Sequence, residues 1–402
     1  MKKSTLAFIL SIALLSACNP DSYSPFPNLG GEVPERGVEE LEYEKLLILY
    51  LEGYNNLTLD IQKNISEFSQ GYLPKKSDKQ AVLVYSHNAV SKVDWHTKTE
   101  PVIYRMYTHY GEVIRDTLFR FPADEVALRP EVLRKSLNFI RKNFPSTSYG
   151  MLFSSHANGW IPKAYTLKSE DMSPFSVGAE YDNSTSINKE YNLDITEFAE
   201  AIPMHLDYIV FDCCLMGGVE TNYVLRNCTD KIVASPTEVL SEGFDYLGLG
   251  ERLLREGEAD LIGVCEDYYS KCADSYATVA LYDCSYMDEL ADKCKSIFGN
   301  HPNQVLEVKS SEVQSYNFSF DYHYDFRDII AKMGASQEEL ADLDETMEKL
   351  VIYKKSTPRF INVTIEAERY SGMSMYLPRK GWNELNDYYM DTAWNKATGL
   401  LR

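Results

Sequence analysis

The stretch Tyr149-Gly-Met-Leu-Phe-Ser-Ser-His156, continued by Ala157-Asn-Gly-Trp160, decides the fold together with Asp207-Tyr-Ile-Val-Phe-Asp-Cys-Cys214. Each is an apolar run of strand length that ends at a reactive side chain, an imidazole in one and a thiol in the other. Strands that are apolar along their whole length are buried on both faces, the pattern of a parallel sheet covered by helices. In open α/β sheets ligands sit beyond the carboxyl ends of the strands. Two such strands side by side present His156 and Cys214 at one rim. A cysteine nucleophile needs that arrangement, because the thiolate attacks and a neighbouring base takes its proton.

The same alternation runs outward from these two strands. Leu46–Leu51 reads as a buried strand, followed by Asn55-Asn56 and a helical pattern to about Gln70. Ala81–Tyr85 is the next strand, and Val102–Tyr107 alternates like a sheet edge. Pro130–Asn143 reads as a helix with proline near its start. Helices are expected over Leu193–Ala201, capped by Asp194, over Gly218–Arg226, and across residues 250 to 273. Lys231–Ser235 and Ala277–Tyr282 complete the strands. The sum is an α/β core over 41–300, with a mainly parallel sheet and helices on both faces. After residue 300 come a polar, aromatic run, a helix over Ser336–Leu350, and two antiparallel-looking strands, Phe360–Glu366 and Gly372–Leu377. This predicts a smaller C-terminal subdomain, 301–402, packed on the core. Ile161–Asn192 lacks periodicity and reads as a loop of about 30 residues, long enough to be functional or disordered. Its exit from the His156 rim favours function.

Sixty acidic against 40 basic residues leave a net charge of −20, which excludes a nucleic-acid partner and suits cationic substrates. Lys2-Lys3, the apolar Leu6–Leu15 and Ser16-Ala17 form an export signal over 1–17. Leu15-Ser-Ala-Cys18 resembles the bacterial lipobox, so Cys18 is expected to carry the lipid that tethers the chain to a membrane. Residues 18–40 read as a flexible stalk. The expected location is therefore the bacterial cell envelope, periplasmic or at the surface. The seven cysteines after Cys18 show no zinc-type grouping, and no metal is assigned.

Ser155-His156 with Gly159-Trp160, and Phe211-Asp212 with Cys214-Leu-Met216, resemble the clostripain family of cysteine endopeptidases, relatives of caspases, gingipains and legumain. Leu49-Tyr50 with Asn55-Asn56-Leu57 is similar to the family's first strand and turn. Val219-Glu220, Gly243-Phe-Asp-Tyr246, Tyr324-Asp-Phe326, Ser371-Gly372 and Thr392-Ala-Trp394 extend the likeness over about residues 45 to 402. The resemblance implies a caspase-like fold with Cys214 as nucleophile and His156 as general base and acid. It implies a dyad with no third orienting residue, and an oxyanion held by the backbone N–H groups of Cys214 and Ala157. A basic P1 residue, Arg or Lys, would be bound by carboxylates, with Asp212 first and Asp245, Glu238 and Glu242 behind it. The family is made as zymogens cut within a linker, which makes Lys163, Lys168 and Lys189 candidate self-cleavage sites. The partner is then a peptide or protein with a basic P1, the expected state is a monomer, and no cofactor is required. Calcium activates some members, and the acidic stretch Glu170-Asp171 to Asp182 is its candidate site.

Three positions depart from the family pattern. Ala157 stands where glycine is usual, Cys213 where alanine is usual, and Tyr54 where aspartate is favoured. Alternation along a strand points Cys213 away from Cys214, so Cys214 remains the nucleophile. These departures give standing to a catalytically inactive homologue that binds peptides or partners. A glycan-binding surface lipoprotein, suggested by 29 tyrosines and the stalk, is the other reading.

Overall fold

The buried run Leu46–Leu51 forms the middle of β1 (Lys45–Gly53), and α1 (Thr58–Phe68) follows after a short turn. Then come β2 (Gln80–Asn88), β3 (Val102–His109), β4 (Glu112–Arg120), α2 (Pro130–Asn143) and β5 (Tyr149–Ser154). The chain continues through α3 (Lys163–Thr166), β6 (Val177–Asp182), β7 (Lys189–Leu193), α4 (Ile195–Ala201), β8 (Leu206–Asp212), α5 (Val219–Leu225) and β9 (Thr229–Ala234). It closes with α6 (Tyr246–Leu254), α7 (Leu261–Lys271), β10 (Thr278–Asp283), α8 (Met287–Asn300), β11 (His323–Asp325), α9 (Phe326–Lys332), α10 (Gln337–Leu350) and β12 (Val351–Ser356), ahead of short C-terminal elements. This computed structural model describes residues 42–91, 97–166, 177–182, 189–316 and 322–402. The export signal, the stalk, Cys18, Lys168 and Glu170-Asp171 lie outside the described residues.

Nine strands form one sheet in the order β12-β10-β9-β8-β5-β1-β2-β3-β4. The run from β9 to β2 is parallel throughout, and antiparallel strands close both ends. The central strands show why the sequence reads as it does. Leu46, Ile48 and Tyr50 of β1 enter one apolar layer with α2, α4, α5, α8 and α10, while Leu47, Leu49 and Leu51 enter the opposite layer with α1, α6 and α7. Both faces are buried, so no polar alternation is left to see. Chain order reverses between β1 and β5, where ligands collect in open α/β sheets.

Several expectations are met closely. α2 spans Pro130–Asn143 with proline in its first turn. Asp194 heads α4 with a capping box to Glu197, and Ser336 does the same for α10 with Glu339. Others are corrected. Val102–Tyr107 is not an edge, because β4 pairs outside it through a turn at Tyr110 and Gly111, both with positive φ. The expected loop Ile161–Asn192 contains α3 and the antiparallel pair β6–β7. Residues 250 to 273 are two helices, α6 and α7, separated at Arg255–Asp260. The strands at 360–366 and 372–377 do not pair with each other. Phe360 turns back on Val363, and Ser374–Tyr376 pairs with β11.

The segment 301–402, expected as a smaller subdomain, contributes β12 to one edge of the main sheet. Tyr389, Trp394 and Leu401 lie in the same apolar layer as α2 and α8. Among the described residues no helix is long and apolar enough to cross a membrane.

Candidate active site

β5 and β8 are hydrogen-bonded parallel neighbours whose last paired positions are Ser154 and Asp212. His156 and Cys214 each lie two residues further on, at equivalent places on adjoining strand tips. The Ser154 hydroxyl donates to Asp212 Oδ2 at 2.9 Å, so these two side chains share a face of the sheet. Cys213 takes the other one: it is 1% exposed, belongs to the apolar layer with Phe153 and Phe211, and its thiol donates to the Phe153 carbonyl at 3.4 Å. All seven cysteines of the described chain are free thiols.

The turn after Cys214 is tight. Leu215 adopts a left-handed φ of 61°, an unfavourable conformation for a branched residue that persists only where the surroundings enforce it. Its N–H donates to Thr237 O at 2.8 Å, and the N–H of Gly217 donates to Ser235 O at 2.9 Å, which lashes the turn to the end of β9. Gly159, with φ of 63°, passes so close that a Cβ there would sit 2.7 Å from Leu215 O. Ala157 needs none of glycine's freedom, because it is absent from the positive-φ residues. It is buried and forms a β-bridge with Val177, while Gly178 N–H donates to His156 O at 2.8 Å. β6 therefore runs along the His156 rim.

The imidazole of His156 has a partner that the motif reading did not contain. Its Nε2 lies 2.5 Å from Asn56 Oδ1, in the turn beyond β1. The neighbouring Asn55 braces that turn, donating to Ala179 O at 2.7 Å and Glu52 O at 3.1 Å. The signal was present as Asn55-Asn56, but only the fold brings it to His156. Burial lowers the His156 pKa to about 4. Burial pushes the Cys214 thiol up to about 12, with Glu238 and Asp212 adding to the rise and a hydrogen bond from Val239 N–H, 3.3 Å from Sγ, opposing it.

The four acidic residues expected around P1 are placed differently from one another. Asp212 is buried and already holds three donors: Ser154 Oγ, Tyr246 OH at 2.7 Å and Phe244 N–H at 3.3 Å. Burial raises its pKa. Glu238 is half-buried, and its charge acts on the Cys214 thiol. Glu242 is exposed. Asp245 lies at the head of α6, folded over Gly248 and within the field of Lys271, Asp267 and Glu67. Of the candidate self-cleavage lysines, Lys163 starts α3, and its Nζ contacts both Glu197 carboxylate oxygens at 2.5 and 2.7 Å. The backbone of Lys189 pairs with Asp182 in the β6–β7 ladder. A separate cavity of about 580 Å³ opens at the amino ends of the strands, beside Leu46, Ser148 and Tyr208, away from the rim that carries Cys214.

Comparison with known proteins points to one family. The model of the clostripain family matches residues 49–397. Clostripain from Hathewaya histolytica is 23% identical over 232 residues, which is 52% of this chain and 42% of that protein. The chain thus spans less than half the length of this curated relative. An inactive zymogen C11 protease from Parabacteroides distasonis superposes over 90% of this chain and 99% of its own, with a TM-score of 0.74 at 24% identity. A secreted C11 cysteine protease from Bacteroides thetaiotaomicron, bound to an irreversible peptide inhibitor, covers 88% and 98%, also with a TM-score of 0.74, at 21% identity. At these identities the likeness shows a shared fold.

Proposed function

The chain belongs to the clostripain family of cysteine proteases, and from that premise we propose that it is an endopeptidase working through Cys214 and His156 on peptides with Arg or Lys at P1. The observation that supports this reading is the register of β5 and β8: positions 156 and 214 each follow the last paired residues, Ser154 and Asp212, by two. In this reading Asn56 Oδ1, 2.5 Å from Nε2, would accept from Nε2–H, and Nδ1 would be the base. Attack forms the bond from Sγ to the scissile carbonyl carbon as the thiol proton passes to the imidazole. The imidazolium then protonates the leaving amine, and water, deprotonated by the same ring, releases the acyl group. Backbone N–H groups of Cys214 and Ala157 would steady the oxyanion, each contributing about 2.7 to 4 kcal/mol when aimed at the developing charge.

Burial pushes the Cys214 thiol up to about 12, which suits a precursor form; one structural relative is an inactive zymogen. Lys163 is helical and ion-paired, and Lys189 sits on a paired strand. Lys168 lies outside the described residues, and all three lysines stay candidates for the cut. For P1 we favour Glu238, with Asp212 as the brace beneath it, because Glu238 acts on the thiol while the oxygens of Asp212 are taken. A lipid on Cys18 would hold the enzyme, as a monomer, in the cell envelope; the secreted Bacteroides relative supports a location outside the cytoplasm.

Turnover of a fluorogenic arginyl or lysyl substrate tests the whole reading. It is expected in the wild type after processing, lost in Cys214→Ala and kept in Cys213→Ala. Mass spectrometry of the processed chain reports the cut. Absence of turnover in a chain that is cut and folded leaves the inactive, peptide-binding homologue.

A further inference from the structure

Three ionisable side chains that the protease reading does not use meet inside the fold. Glu52 at the end of β1 stands directly opposite His87 of β2 in the parallel register. Glu180 reaches the same point from β6. All three are 0% exposed. His87 Nδ1 lies 3.0 and 3.1 Å from the two Glu52 oxygens, and one ligand atom from each of the three residues falls within 4.8 Å of the others.

The cluster has unmet bonding capacity. Among the described residues Glu180 Oε1 has no hydrogen-bond partner, and neither has His87 Nε2, the ring nitrogen turned away from Glu52. The Lys98 ammonium stands 3.9 Å from Glu180 Oε1, beyond hydrogen-bonding distance. Buried polar atoms normally find partners, and two buried carboxylates around one imidazole call for positive charge between them. The remaining bonds look like supports for such a centre. Tyr54 N–H donates to Glu52 Oε1 at 3.2 Å and Leu128 N–H to Glu180 Oε2 at 3.1 Å, which orients both carboxylates.

We propose that Glu52, His87 and Glu180 form a binding site for one divalent transition-metal cation of the Zn²⁺ type. One imidazole and two carboxylates make a borderline nitrogen–oxygen donor set, unlike the all-oxygen cage calcium prefers. Zinc bonds to nitrogen and oxygen are about 2.0 to 2.2 Å, so ligand atoms around one ion sit roughly 3 to 4 Å apart. The spacing between His87 and Glu52 is already of that size. The site would pin β6 to β1 and β2. Because β6 also pairs with Ala157 and bonds to His156 O, the ion would stiffen the catalytic rim without touching substrate. The proposal is independent of the protease reading.

The test uses the full chain carrying Cys214→Ala, so that the dyad cannot take the metal. The protein is stripped with EDTA and titrated with ZnCl₂, with CaCl₂ as control. One zinc per chain after gel filtration is expected, with a melting point about 5 °C higher at saturating metal. His87→Gln and Glu180→Gln should each weaken zinc binding at least tenfold. If these variants do not fold, Co²⁺ loading of the parent replaces them, and visible bands of nitrogen–oxygen coordination are expected. The proposal is overturned by an unchanged melting point with no retained zinc, by equal zinc in the folded variants, by calcium stabilising where zinc does not, or by Co²⁺ spectra of sulfur ligation.

Discussion

His156 Nε2 is held by Asn56 Oδ1 at 2.5 Å, across the gap between the tip of β5 and the turn beyond β1. The bond orients the ring. It ties His156 to the strand at which the chain order of the sheet reverses.

Asn56 is therefore expected to act as a positioning residue. Asn56→Ala should lower kcat about tenfold with KM nearly unchanged, since one hydrogen bond of about 1.4 kcal/mol is a factor of ten. Asn56→Asp places a carboxylate against the ring, raises the imidazole pKa, and moves the acid limb of kcat/KM to higher pH. An Asn56→Asp profile identical to that of the wild type would remove this role.

In the proposed P1 role, Glu238 would link specificity to thiol chemistry. Its charge raises the Cys214 pKa, so Glu238→Gln should lower that pKa and speed alkylation by neutral iodoacetamide at a fixed pH. The same variant should lose at least tenfold in kcat/KM for arginyl substrates through KM. Faster alkylation with unchanged discrimination would move the P1 site elsewhere.

Gly159 and Leu215 pass backbone to backbone, and a methyl group at Gly159 has no room beside Leu215 O. Gly159→Ala should destabilise the fold by about 1 to 3 kcal/mol, combining strain at positive φ with displacement of the turn after Cys214. Thermal melting reads the first effect. A fall in kcat larger than that in KM, measured well below the melting point, reads the second.

Glu220, on the first turn of α5, accepts from Tyr376 N–H at 2.9 Å and Tyr389 OH at 3.1 Å inside the core. Burial raises its pKa from 4.5 to about 7. The folded state therefore holds this proton longer than the unfolded one does. The stability it contributes is full below about pH 4.5 and declines as pH rises through 7. Glu220→Gln mimics the protonated acid. Denaturant titrations should show the variant gaining on the wild type by a few kcal/mol between pH 5 and pH 8, at about 1.4 kcal/mol per pKa unit. A pH-independent difference would mean the carboxylate stays charged.

Much of this was written locally. The runs of β1, β2, β5, β8 and β9 are apolar because both sheet faces are covered, and Asp194 and Ser336 mark helix starts by satisfying free N–H groups. β4 escaped the reading because it is an edge strand of mixed composition, with no fully buried residue and no clean alternation. β6 and β7 escaped because their short segments carry too little periodicity to register. The order of the two reactive residues, and the likelihood of a rim between them, follow from strand length and composition alone.

Only the tertiary structure decided which groups meet. Asn56 and His156 lie a hundred residues apart, and Glu180 joins Glu52 and His87 from a segment read as loop. Asp212, which looks like an open pocket carboxylate in the motif, is a buried brace with three donors. Periodicity reports which face of an element is apolar, because burial acts on each residue separately. Pairing of side chains depends on strand order and register, and those are settled by long-range packing that leaves no trace in the local pattern.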